Sequence, residues 1–405
     1  MSAPRNTLRL PMDVKANPPV TAAAAEVSFI RGGPFYRVQQ ALRLIRPNQW
    51  NLSRRIIALI AITWLPLLLI TAILNPAGLV SLISEYRIHA RLLIAVPVLL
   101  IGESFMESRF RLVIGHIRQA GLLDPSDLAY MDGVIATLIR IRDSFLPELV
   151  VLVLLIAHTA TSYRGLVDHP TPWLGQGTGA DLHLTVAGWY AVLVSATLFQ
   201  FLLGLSLWRW LLWTYFAFKL SRLNLRLVAT HPDGHGGLGF LGLTVAAFAP
   251  VAFAATAVIG ATWRYDILHH GAHLRDFKLE AIALAVIIAL VALGPLVFFV
   301  PRVAALRRRG ILEYGILGQL HSVEFDEKWI HHRAGHEAEF LQALESTTLA
   351  DFGRSYEVIQ ELKPFPADRG ALYALVAAVA IPMLPPILAQ IPLAVVFKDL
   401  LETLR

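Results

Sequence analysis

The feature that most constrains this chain is a set of uncharged apolar runs, each about as long as a lipid bilayer is thick. A helix needs about 20 apolar residues to cross a hydrocarbon layer of about 30 Å. Residues 56–74 form a 19-residue run without a charge, entered through Arg54 and Arg55. A second span starts near His89 and carries Glu103 toward its far end. A third covers residues 144–163, with Pro147 placed where a first helical turn tolerates it. A fourth starts at Leu184, meets its first charge at Arg209 and stays apolar to Phe218, which makes it longer than a membrane is thick. The fifth and sixth lie within 237–263 and 281–301.

These runs fit the composition. Of the 405 residues 56% are hydrophobic and 16% charged, where soluble domains hold about a quarter charged. The expected fold class is therefore all-α: a polytopic transmembrane helical bundle of six spans, followed by a Pro-broken C-terminal apolar segment. Residues 370–397 are also uncharged but hold Pro382, Pro385, Pro386 and Pro392, which argue against a straight helix. A re-entrant hairpin or an element packed on the bundle is favoured over a span there.

Charge placement supplies an orientation. Lys and Arg concentrate in residues 1–55, 109–143, 209–235 and 302–370, which hold 27 of the 35; the alternating loops hold six. The excess marks the cytoplasmic side. The expected organisation is a cytoplasmic tail over 1–50, a bundle over 51–301, a cytoplasmic helical segment over 302–370 and the apolar segment over 371–405, in a bacterial inner membrane. Within 302–370, Leu312, Ile316 and Leu320 recur every four residues and mark one helix face. The net charge of +6 is an orientation signal and does not point to nucleic acid.

The stretches SRLNLRLVATHPDGHGGLGFLG, RRRGILEYGILGQLHSVEFDEKWI and LADFGRSYEVIQELKPFP, followed by the Pro-rich apolar end, resemble a family of uncharacterised multi-pass bacterial inner-membrane proteins. The resemblance covers most of the chain after the N-terminal tail. It implies the membrane topology and carries over no functional residue.

Among individual residues, Glu103 is the most informative. A carboxylate at membrane depth must be paired or hydrated. Glu107 and Arg111 follow on the same helical face. Two readings stand: a carboxylate path for a cation, or structural pairing of Glu107 with Arg111 and of Glu103 with Arg209. Arg209, between Trp208 and Trp210, is a pore residue or a snorkelling anchor. His158 is a proton-relay candidate or a hydrogen-bonded core histidine.

The loop THPDGHGGLG carries His231, Asp233 and His235, with Arg222 and Arg226 just before it. It reads as a tight helix–helix turn, an anion cradle or a divalent-metal site. His332 and His336 are four apart, but a solvated cluster is favoured there over a zinc site. Pro250 and the pair Gly294–Pro295 should kink the fifth and sixth spans, and small residues around Pro250 suit close packing or a pore wall.

No cysteine is present, which excludes thiolate chemistry, and no nucleophile–base motif appears. No enzyme activity, cofactor or resident metal is expected; the partners are lipid, further copies of the chain and an unknown small ion or solute. The leading expectation is a homo-oligomeric ion channel lined by spans five and six. A proton-coupled secondary transporter and a non-transporting scaffold are the alternatives.

Overall fold

The computed structural model describes residues 27–46, 50–167, 171–177, 183–331 and 344–390. His332, His336 and the start of the N-terminal tail lie outside them. The described chain is almost entirely helical: α1 (Pro34–Ala41), α2 (Leu52–Leu74), α3 (Pro76–Ser84), α4 (Tyr86–Gln119), α5 (Pro125–Asp143), α6 (Leu146–Val167), α7 (Val186–Ser221), α8 (Gly239–His269), α9 (Leu274–Val297), α10 (Val300–Asp326), α11 (Leu344–Gln360) and α12 (Arg369–Gln390). The strand content is one two-stranded antiparallel hairpin, Gly175–Gln176 with His183–Leu184.

Six helices, α2, α4, α7, α8, α9 and α12, are long and apolar enough to cross a membrane. They identify a multi-pass membrane protein. Among the described residues their set differs from the expected one in two ways: α12 belongs to it, and the expected third span over 144–163 does not, its described apolar stretch being Leu146–His158. The proline-rich segment forms one continuous 22-residue helix, at least through Gln390, with Pro382, Pro385 and Pro386 inside it. It lies parallel to α8: Gly242 abuts Ala367 and Asp368, Thr256 meets Ala378, and Gly260 meets Pro382.

Why the prolines do not break this helix is visible in its contacts. A proline leaves the carbonyl four residues earlier without a donor. Pro382 frees the Ala378 carbonyl, which lies 3.1 Å from Thr256 Oγ1, a hydroxyl shared with the Ala252 carbonyl of its own helix at 2.9 Å. Pro386 frees the Pro382 carbonyl, which lies against Gly260, so close that a Cβ there would stand 2.5 Å from the oxygen. The same device recurs. Pro66 frees the Ile62 carbonyl, taken by Tyr190 Oη at 2.5 Å; Pro295 frees that of Val291, taken by Trp210 Nε1 at 2.8 Å.

The helix ends sort into two groups. At one end, Asp143 and Glu148 accept from the backbone of Gly33 and Phe35, and His235 bonds Lys363. At the other, Asn75 Nδ2 donates to the Pro172 carbonyl and Leu274 N to Gln390 Oε1. Helix α6 leads from the first group to the second and packs on α7, where Gly204 receives Val151. Its described apolar stretch is Leu146–His158.

The main core sits between α4, α7 and α8. Phe110 stacks on Trp213 at 4.3 Å, Trp210 meets Phe248 at 4.8 Å, and Phe29 of the N-terminal segment packs against Trp213 and Phe216. The small face of α8 is filled by α12 and α4; Gly102 of α4 lies against Pro250. Spans five and six, expected to pair along a path, touch each other much less. Gly294 faces open space.

Beyond the bundle, α10 pairs with α11 through Gly310 on Ile359 and Gly318 on Phe352. The face marked by Leu312, Ile316 and Leu320 is exposed instead. Glycines on the opposite face let α11 approach closely there.

Candidate functional site

Glu103 sits on α4 between two arginines. Arg55 of α2 donates Nη2 to Glu103 Oε2 at 2.5 Å, and Arg209 of α7 donates Nη1 to Glu103 Oε1. All three are at most 5% exposed. Arg55 is held further by Gln39 Oε1 at 2.7 Å and lies over the Trp50 ring. One turn on, Glu107 accepts from Ser28 Oγ at 2.7 Å and pairs with Arg111 at 2.6 Å and Arg31 at 3.6 Å. The sequence reading of Glu103 with Arg209 and Glu107 with Arg111 thus matches the contacts made. Arg55, Arg31 and Ser28 were missed, because they come from helices and segments distant in sequence. The cluster ties α2, α4, α7 and the N-terminal segment together. Both Glu103 oxygens are taken by arginines.

In the THPDGHGGLG loop, Asp233 is itself the anion. Its Oδ1 accepts from His235 N at 2.8 Å and Gly237 N at 3.1 Å, and its Oδ2 from Gly239 N at 2.8 Å. Gly234, Gly236 and Gly237 have φ of 65°, 68° and 95°, which glycine adopts without strain. Burial alone would raise the Asp233 carboxyl; the N–H groups of Gly239, His235 and Gly237, with His231, outweigh it and hold the carboxyl below the usual aspartate range. Arg226 pairs with Asp124, and Arg222 lies over Phe218. Three of the loop's N–H groups, of His235, Gly237 and Gly239, are spent on Asp233. Among the described residues no His/Asp/Glu cluster suits a metal ion. The loop is a staple: His235 Nδ1 lies 3.0 Å from the Lys363 carbonyl and Lys363 N donates to Gly234 O, fixing the segment that leads into α12.

The arrangement best suited to bind something lies at the other end of the bundle. A cavity of about 350 Å³ opens between α4, α6, α7, α8 and the loop before the hairpin. Its wall includes Glu85, Arg87, Arg91, His158, Trp173 and Gln200. Four of its polar atoms are buried without a hydrogen-bond partner: Arg91 Nε, Thr171 Oγ1, Trp173 Nε1 and Gln200 Oε1. Buried polar groups are nearly always satisfied, so four orphans in residues around one cavity make it the candidate site of this chain, each atom itself being shielded within the wall. The cavity is also flanked by the two π-helical turns of the long spans, Ala90–Ala95 in α4 and Ala191–Ala196 in α7. Such turns are rare and collect at functional sites. Here the first carries Arg91, and the second supplies Ala191, Val192 and Ala196.

No family model, curated protein or solved structure matches this chain.

The cavity adjoins a second, wider one of about 1080 Å³, lined by α3, the Thr171–Gly177 loop and the end of α8. Glu85 and Thr171 border both. At that border Glu85 accepts from Arg87 at 2.6 and 2.9 Å, and the Arg87 guanidinium lies 3.5 Å over the Tyr265 ring. Of the sequence candidates only His158 reaches this site. The available signal for the rest was Arg91, a charge just inside the second apolar run. Thr171, Trp173 and Gln200 gave none, since a polar side chain in a loop or span says nothing about which cavity it lines.

Proposed function

We propose that this protein is a secondary transporter of a small polar solute, with its basic end in the cytoplasm of a bacterial inner membrane. The single observation that carries the reading is the cluster of unmet polar atoms around the cavity between the π-turns. From the border at Glu85, the cavity reaches Gln200, fourteen residues past the start of α7 at Val186 and so roughly 21 Å along that helix. Below it lie Leu99, Leu100 and Leu202, all buried, and then the Arg55–Glu103–Arg209 network. A site open toward one end and sealed by packing and ion pairs toward the other suits alternating access better than a continuous pore.

The chain lacks cysteine, which makes the test direct. Ala196→Cys in proteoliposomes, treated with a membrane-impermeant maleimide from each side in turn, should react from both sides, while planar bilayers show no steady current. Reaction from the Asn75 side alone would overturn transport, and discrete single-channel steps would return the assignment to a channel. A scaffold role has one observation in its favour, the exposed Leu312, Ile316 and Leu320 face of α10; proteins co-purified through that face, with one-sided labelling, would support it.

A further inference from the structure

We propose that the cavity between the π-turns binds a short carboxylic acid that also carries a hydroxyl group; this rests on the reading of that cavity as the solute site. The argument starts from charge. Glu85 and Arg87 neutralise each other through two contacts. Among the described residues Arg91 has no carboxylate at ion-pair distance, although its Nε is shielded from solvent and its guanidinium lies 5.9 Å from the Phe199 ring. A half-buried guanidinium beside a cavity is stabilised by a counter-charge, and its planar fork matches a carboxylate better than a spherical anion.

The remaining orphans are shielded in the empty wall, and once their side chains turn toward the cavity they define the rest of the ligand. Trp173, 3% exposed, can only donate through Nε1, so it adds a second donor for an anionic oxygen. Gln200 Oε1 can only accept, so it requires a donor on the ligand. Thr171 Oγ1 can serve either group. A ligand with a carboxylate alone would leave Gln200 unmet; a polyol would leave Arg91 unneutralised. Between the polar groups the wall is apolar, with Ile88, Leu174 and Val192, which suits a short carbon skeleton. At roughly 30 Å³ per water, 350 Å³ corresponds to about a dozen waters, enough for a small organic acid with part of its hydration. A hydroxyl raises selectivity here because the site's own polar atom is otherwise left bare.

Three probes of matched size separate the requirements: sodium lactate with both groups, sodium propionate without the hydroxyl, and 1,2-propanediol without the carboxylate. Each is titrated calorimetrically into the full chain in nanodiscs at constant ionic strength. Lactate should bind at least tenfold more tightly than propionate, and the diol should give no heat. Arg91→Gln should weaken lactate at least tenfold. Trp173→Phe keeps the ring, removes the donor and should weaken it severalfold, which keeps the test decisive if Arg91→Gln fails to fold. Equal binding of lactate and propionate, binding of the diol, lactate affinity unchanged in both variants, or no lactate binding by the folded protein would each overturn the ligand class. Those results leave the two-sided labelling of Ala196→Cys untouched. One-sided labelling with tight lactate binding would instead overturn transport and keep the site as a receptor.

Discussion

Glu103 takes one arginine on each carboxylate oxygen, and the consequences of removing its charge differ from those at a hydrated pore residue. Glu103→Gln strands two buried guanidiniums, and breaking a buried ion pair costs about 3–5 kcal/mol. Thermal unfolding followed by tryptophan fluorescence should drop clearly. Arg209→Gln should cost less, because Arg55 still pairs with Glu103. A carboxylate facing water would tolerate the isosteric change, so near-equal melting of Glu103→Gln and the parent would contradict the buried network. Asp233 gives a pH signature of another kind. Its carboxyl is held below the ordinary value of about 3.9, so its contribution to stability is complete above that value and is lost as pH falls through the lower folded one. Hydrogen exchange at Gly237 and Gly239 should accelerate as acid reaches that range, and in Asp233→Asn the exchange protection should be weaker and show no such acid transition.

At the scale of the helix, prolines act as hydrogen-bond ports between spans. Two freed carbonyls, of Ile62 and Val291, are taken by Tyr190 and Trp210 on neighbouring helices, and a third, of Ala378, lies within reach of the Thr256 hydroxyl. Hydrogen bonds between membrane helices contribute about 0.6 kcal/mol on average. Thr256→Val should therefore destabilise by roughly that amount, and the effect should shrink in a Pro382→Ala background, where the helix satisfies Ala378 itself. A double-mutant cycle measures the difference; equal effects in both backgrounds would contradict the port. Gly260→Val should be far worse, since its Cβ would stand 2.5 Å from the Pro382 carbonyl. That Pro295 frees a carbonyl was legible from sequence. Which side chain catches that carbonyl was not, because Trp210 and Val291 meet only when α7 and α9 pack.

Across the whole molecule, the parallel pairing of α8 and α12 fixes where the chain emerges. Gln40 lies at the basic end and Gln390 at the end of His273. Impermeant labelling of Gln40→Cys and Gln390→Cys should modify them from opposite sides of the membrane; modification from one side would return α12 to the re-entrant arrangement expected from its prolines.

Sequence by itself determined the membrane class, the run lengths and the alternation of basic loops, because desolvating a charge or an unpaired peptide group in lipid is costly enough to leave its mark on every span. It also narrowed the partners of Glu103 and Glu107 to a few arginines, since few cations lie at that depth. Tertiary structure alone decided the fate of the proline-rich helix, which depends on hydroxyls and glycines supplied by α8. The binding cavity is likewise a product of packing: Arg91, Thr171, Trp173 and Gln200 are spread over 110 positions of the chain. Only the meeting of α4, the hairpin loop and α7 gathers these residues around one space.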